Sequence, residues 1–122
     1  MVNKPKIKGT AWETVVTKYL REGGFTAVER RALNGSTDKG DIAGIPGVVI
    51  EAKDQIRLDF AGFIAEVEAE KVNAACWLGV AWVKRRGKTS AADAYVVMTG
   101  RQFLEILQAM RSWLPVSGGM ER

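Results

Sequence analysis

Between Gly40 and Lys53 the chain reads GDIAGIPGVVIEAK, in which Asp41 precedes a Gly/Pro turn and Glu51 and Lys53 close an apolar run. Side chains two apart on a strand share a face, so Glu51 and Lys53 point one way while Val48, Ile50 and Ala52 point the other, into a core. The turn decides where Asp41 goes. If Gly44 pairs with Val48 across Ile45, Pro46 and Gly47, the register sets Asp41 opposite Glu51 on the same face, with Gly47 suited to the left-handed position of such a loop. Pro46 fits a three-residue loop poorly, and a five-residue loop of the same register brings the acids together equally well. Two carboxylates and an ammonium at the end of a strand can hold a divalent cation, activate a water and offset negative charge, which is what hydrolysis of a phosphodiester needs. An isolated E-x-K on a solvated strand has no such meaning. Here the charges end the run Val48, Val49, Ile50, which reads as a buried strand.

Composition narrows the chemistry. The 122 residues contain no histidine and one cysteine. That excludes a Ser-His-Asp triad, a histidine-metal centre and zinc sites built on histidine or on several thiolates. Hydrolysis must then rest on carboxylates, lysine and a hard, oxygen-loving cation, and Mg²⁺ or Mn²⁺ fits that ligand set. Cys76 reads as a small buried hydrophobe. The net charge of +4 and a pI near 9.4 favour an anionic partner. Lys4, Lys6 and Lys8, then Arg30 and Arg31, and most sharply Lys84, Arg85, Arg86 and Lys88 suggest a basic face for phosphates, with Glu66, Glu68 and Glu70 placed elsewhere. A solvated basic loop is the plain alternative for Lys84 to Lys88.

An apolar share of 47% and a mean hydropathy of −0.07 describe a globular chain. The length fits one domain, residues 1–122, with a short basic segment at 1–9 and a flexible tail at 115–122. The start MVNKPKIKGT lacks a secretory pattern, so a cytoplasmic protein is expected, and the longest apolar run, Ala74 to Val83, is too short to span a bilayer.

The elements that must position the charges follow from periodicity. Trp12, Val15, Val16, Tyr19 and Leu20 form the stripe of a helix from Thr10 to about Arg21, stopped by Gly23 and Gly24. A strand is expected from about Phe25 to Ala32, then a polar loop from Asn34 to Lys39 and the Asp41 to Glu51 hairpin. Asp59 caps a second helix reaching about Ala75, with Phe60, Phe63, Ile64 and Val67 inward. Strands from Cys76 to Val83 and Ala94 to Met98 flank the basic loop, and Trp77 and Trp82 read as core. A final helix starts near Thr99, where Thr99 and Gln102 form a capping box, and Phe103, Ile106, Leu107 and Met110 supply its buried stripe. The order α-β-β-β-α-β-β-α predicts an α/β fold with a central mixed sheet between helices. Glu13 has two readings, the far member of a capping box with Thr10 or a carboxylate directed at the hairpin.

Asp41, Glu51 and Lys53, behind a helix carrying Glu13, resemble the PD-(D/E)XK nuclease superfamily, most closely its small archaeal and phage-type Holliday junction resolvases. Gly9, Glu13, Tyr19, Leu20, Gly24, Phe25, Arg30 and Arg31 follow the order seen in that group, over roughly the first half of the chain. One departure is Gly40, where many members have proline. The resemblance implies a restriction-endonuclease-like fold and a Mg²⁺- or Mn²⁺-dependent endonuclease. Asp41, Glu51 and the Ala52 carbonyl would be metal ligands, with Glu13 a direct or water-mediated ligand, and Lys53 would orient or help deprotonate the attacking water. Arg30, Arg31, Ser36, Thr37, Lys39, Gln55, Lys84, Arg85, Arg86 and Lys88 are the candidate DNA contacts. The implied partner is branched DNA such as a four-way junction. Two symmetric cuts from one metal centre per chain imply a homodimer, for which the Ala-rich second helix and the tail around Trp113 and Leu114 are candidate interfaces. Other nucleases of the superfamily share these features. A non-catalytic nucleic-acid-binding module is the alternative of another class, and the intact acid and acid-x-lysine set stands against it.

Overall fold

The computed structural model describes residues 4–31 and 38–115, with side chains from residue 10 onward. Its elements are α1 (Lys4–Glu22), β1 (Glu29–Arg30), β2 (Ile42–Ala43), β3 (Val48–Lys53), α2 (Phe60–Ala74), β4 (Leu78–Val83), β5 (Tyr95–Val97) and α3 (Gly100–Ala109). Short 3-10 turns at Ala91–Asp93 and Arg111–Trp113 complete the described chain. The strands form one sheet in the order β1-β2-β3-β4-β5, parallel between β3 and β4 and antiparallel elsewhere. This is the expected three-layer α/β architecture.

Strand parity assigns the faces. Val48, Ile50 and Ala52 of β3 and Val80 of β4 pack with Trp12 and Val16 of α1. Trp12 also fixes α1 along the sheet, because its indole Nε1 donates to the Trp82 carbonyl at 2.9 Å. On the other face Phe63 and Val67 of α2 cover Ala81 and Val83. Glu51 pairs in register with Ala81, and Lys53 with Val83, so both charged residues project from the α2 face. Asp59 caps α2 as expected, its Oδ1 accepting from the Gly62 amide at 3.0 Å. Gly79 lets α2 approach β4, since a Cβ there would lie 2.6 Å from Val67 Cγ1.

Several boundaries differ from expectation. Helix α1 begins at Lys4 rather than near Thr10. Thr10 is therefore inside the helix, where its carbonyl accepts from Thr14 Oγ1, and the capping box with Glu13 does not form. Its Pro5 lies in the first turn, where a missing amide costs no helical hydrogen bond. Strand β1 holds only two residues because the chain turns first, with the Val28 amide on the Phe25 carbonyl. The Thr99 and Gln102 box is half realised. Thr99 Oγ1 accepts from the Gln102 amide, but the Gln102 side chain is buried and instead accepts from the Gly79 amide and donates to Glu105.

The largest correction concerns α3. Phe103, Leu107 and Met110, expected in the core, are exposed, as are Leu104, Trp113 and Leu114. Helix α3 docks on the sheet through Gln102 and β5 is a short edge strand, so nothing within the described chain covers this stripe. Trp77, also expected in the core, is exposed, and Cys76 is only partly buried. Both lie in the connection before β4 rather than within it.

Candidate metal centre

The hairpin has the predicted register. Ile42 stands opposite Ile50, which places Asp41 opposite Glu51. The Asp41 amide donates to the Ile50 carbonyl at 3.1 Å, and Asp41 Oδ2 accepts from the Ala52 amide at 2.9 Å. The Arg31 amide donates to the Asp41 carbonyl at 2.7 Å, extending the β1 and β2 register so that Arg31, Asp41 and Glu51 form a cross-strand row. Lys53 lies two residues beyond Glu51, and its Nζ is 3.3 Å from Glu51 Oε2 and 2.7 Å from Glu66 Oε1 of α2.

Glu66 and Glu70 do not belong to a separate acidic patch. One turn apart on α2, both face β3, and with Asp38 and Glu51 they offer four carboxylate oxygens within 4.8 Å of one another. Two bonds set Asp38 at this cluster. Asn73, three residues past Glu70 on α2, donates to the Asp38 carbonyl at 2.8 Å, while Asp38 Oδ1 accepts from the Gly40 amide at 2.9 Å. Gly40 has φ of 96°, which proline cannot adopt, so the departure from the superfamily pattern follows from the turn that presents Asp38.

The electrostatics of the cluster are those of crowded, desolvated anions. Burial, then the charge of Asp41, pushes Glu51 up to about 8. Burial, then proximity to Asp38 and Glu51, pushes Glu70 up to about 10. Asp41 rises to about 6, chiefly by burial, against the Ala52 hydrogen bond and with the charge of Glu13 adding to the rise. Glu51 and Glu70 lie close enough to share a proton, yet as anions neither offers the other a donor. Burial lowers the Lys53 pKa, but the bond to Glu66 and the charge of Glu51 outweigh it and the net shift is upward. Lys53 is therefore a fixed cation rather than a base while these carboxylates hold it.

These residues pass a chemical test for a hard cation. Every donor is oxygen, and Glu51 Oε1 and both Glu70 oxygens are buried without a hydrogen-bond partner among the described residues. Such anions are costly to bury unless a positive charge faces them. The cluster's donors and spacing fit a divalent metal ion.

The remaining candidates separate into two regions. Beyond Lys53, Asp54, Gln55, Ile56 and Leu58 face Lys84, Arg85, Arg86 and Gly87 across a groove of about 220 Å³. It adjoins the centre, because the Lys84 amide donates to the Lys53 carbonyl. Within the groove wall Lys84 is 3.8 Å from Asp54 and lies over Trp12, and Arg85 donates to the Asp93 carbonyl and lies over Tyr95. Arg86 and Lys88 are exposed. At the turn end of the hairpin, Arg31 and Lys39 line a second concavity with Gly44 to Val48, Ala74 and Cys76. Arg30 is paired with Glu13 at 3.2 Å, so Glu13 faces this arginine and is not one of the four clustered acids. Ser36 and Thr37 fall outside the described residues.

Sequence reasoning missed Asp38, Glu66 and Glu70. The i, i+4 spacing of Glu66 and Glu70 was a usable signal, since it puts both on one helical face, each three residues past a member of the buried pair Phe63 and Val67.

No protein-family model, no curated protein and no solved structure matches this chain. What the fold and site define is a helix-flanked mixed sheet with clustered acids at one end of its parallel pair, consistent with a PD-(D/E)XK-like nuclease fold. No described helix is long and apolar enough to cross a membrane.

Proposed function

We propose that the protein is a divalent-metal-dependent DNA endonuclease and that its substrate is branched DNA, with a Holliday junction as the leading case. The observation that carries the reading is Glu51: a buried carboxylate with one oxygen on Lys53 and the other unpartnered, set beside Asp41 at the C-terminal end of a parallel strand. Open α/β sheets place ligands at this end of their strands.

In this reading Asp41 and Glu51 hold Mg²⁺ or Mn²⁺, with the Ala52 carbonyl as a further ligand, and the cation supplies Lewis acidity toward the phosphate and an acidified water. Lys53 contributes positive charge where the phosphoryl oxygens gain negative charge, held in place by Glu66. Glu13 acts through water, its carboxylate steadied by Arg30. Arg31 and Lys39 on one side, and Gln55, Arg86 and Lys88 on the other, contact backbone phosphates, with Lys84 and Arg85 shaping the groove wall. A second copy completes the pair of cuts a four-way junction requires, and the uncovered stripe of α3 supports self-association there.

Cleavage of a panel of four-way junction, flap, nicked and linear duplex DNA tests the reading. Expected are Mg²⁺- or Mn²⁺-dependent nicks favouring the junction, lost in Glu51→Ala and Lys53→Ala. Cleavage that persists in EDTA with Asp41→Ala and Glu51→Ala refutes it. Equal cutting of linear duplex replaces the junction resolvase with another nuclease of the same superfamily.

A further inference from the structure

We propose that helix α2 supplies a metal ligand, Glu70, and that the cation sits between β3 and α2 on Glu51 and Glu70, with Asp38 closing the site. This deepens the activity proposed above, on which its catalytic meaning rests, and it moves the ion from the Asp41 side of Glu51 to the α2 side: Asp41 is not among the four clustered acids, and its Oδ2 already accepts from the Ala52 amide.

Three observations converge. Glu70 is 1% exposed, and neither of its oxygens has a hydrogen-bond partner among the described residues. Glu51 is 5% exposed and its Oε1 is equally unpartnered, whereas its Oε2 contacts Lys53. Ligand oxygens at about 2.1 Å from Mg²⁺ stand about 3 to 4.2 Å apart, and those around Ca²⁺ up to about 5 Å. The four clustered oxygens lie within 4.8 Å of one another, inside the Ca²⁺ limit and a small contraction from the Mg²⁺ one.

The neighbours divide the work. Glu66 Oε1 takes the Lys53 ammonium at 2.7 Å, and this half-exposed acid balances the lysine at the mouth of the cluster. Asp38 uses Oδ1 to accept from the Gly40 amide and is tied to α2 through Asn73, so one short loop and one helix turn approach Glu51 together. Lys53 is the one ammonium paired with this cluster among the described residues, against four carboxylates. Once these acids are ionised, a divalent cation supplies the positive charge that a single ammonium cannot.

Mn²⁺ binding to the purified full chain without DNA, counted by electron paramagnetic resonance of the free ion, tests the site. Wild-type protein is expected to bind one Mn²⁺ that Mg²⁺ displaces, and to melt at a higher temperature when Mn²⁺ is added. Glu70→Gln should weaken binding at least tenfold, Asp38→Asn severalfold, and Glu68→Gln, on the same helix but paired with Lys71 outside the cluster, by less than twofold. Asp38 is exposed, so its variant reports on the site if Glu70→Gln fails to fold. Unchanged affinity in both Glu70→Gln and Asp38→Asn overturns the ligand set even if metal-dependent cleavage persists. Binding that depends on Glu70 in a protein that cuts no DNA leaves the metal site standing and removes the nuclease reading. Absence of any binding at millimolar Mn²⁺ removes the site.

Discussion

In EDTA the protein should lose stability as pH rises from 5 to 7, the reverse of the usual behaviour of paired carboxylates. Glu51 titrates near 4.5 when unfolded and is pushed up to about 8 in the fold. Between these values the folded chain holds a proton that the unfolded chain has released. The folding free energy therefore weakens by about 1.4 kcal/mol per pH unit for each retained proton, and levels off above the folded pKa. One proton retained across two pH units is on the order of 3 kcal/mol. Glu70, pushed higher still, keeps its proton across the whole interval and can as much as double that slope, while Asp41, near 6, adds mainly below pH 6. For a chain of this size the one-proton figure corresponds to a fall in melting temperature on the order of 10 °C. Urea unfolding at pH 5, 6, 7 and 8 in EDTA measures it directly. Glu51→Gln should flatten the slope, and saturating Mg²⁺ should restore stability most at the higher pH, where its ligands are ionised. Stability that is constant or rises from pH 5 to 8 would refute the placement of these carboxylates in a desolvated cluster.

Two further outcomes are expected. Replacing Arg86 and Lys88 with alanine should reduce the slope of log affinity against log salt for DNA by about one to two units, whereas replacing Arg85, which is occupied with Asp93 and Tyr95, should change it less; equal slopes for wild type and the double variant would return the loop to plain solvent exposure. Sedimentation velocity should find a dimer that Leu107→Glu and Trp113→Ser convert to monomers without loss of secondary structure, and a wild-type monomer at micromolar concentration would leave the α3 stripe without a self-partner.

The hairpin was legible in the sequence because its determinants are local. Alternation along Val48 to Lys53 sets which side chains share a face, and an odd-length turn after Gly44 sets which residue meets Glu51. Trp12 and Val16 of α1, Phe63 and Val67 of α2 and the Asp59 cap were readable for the same reason, whereas Val15, Tyr19 and Phe60 of the expected stripes are exposed. The order of elements was readable too, since with short connections it leaves few ways to build a mixed sheet. Local patterns failed where an outside surface decides. Phe103, Leu107 and Met110 are spaced like a buried stripe, yet spacing records only that a face is apolar and does not say whether this chain covers it. Thr10 and Glu13 have capping-box spacing, but α1 starts six residues earlier.

The acidic centre belongs to tertiary structure. Glu66 and Glu70 read as a charge run until α2 is laid across β3, on the face to which parity directs Glu51. Asp38 joins them because a left-handed Gly40 and a bond from Asn73 fold its loop toward α2. The raised pKa values arise from the same event: each acid alone on its own element would be solvated, and their mutual burial creates both the electrostatic cost and the place where a cation relieves it.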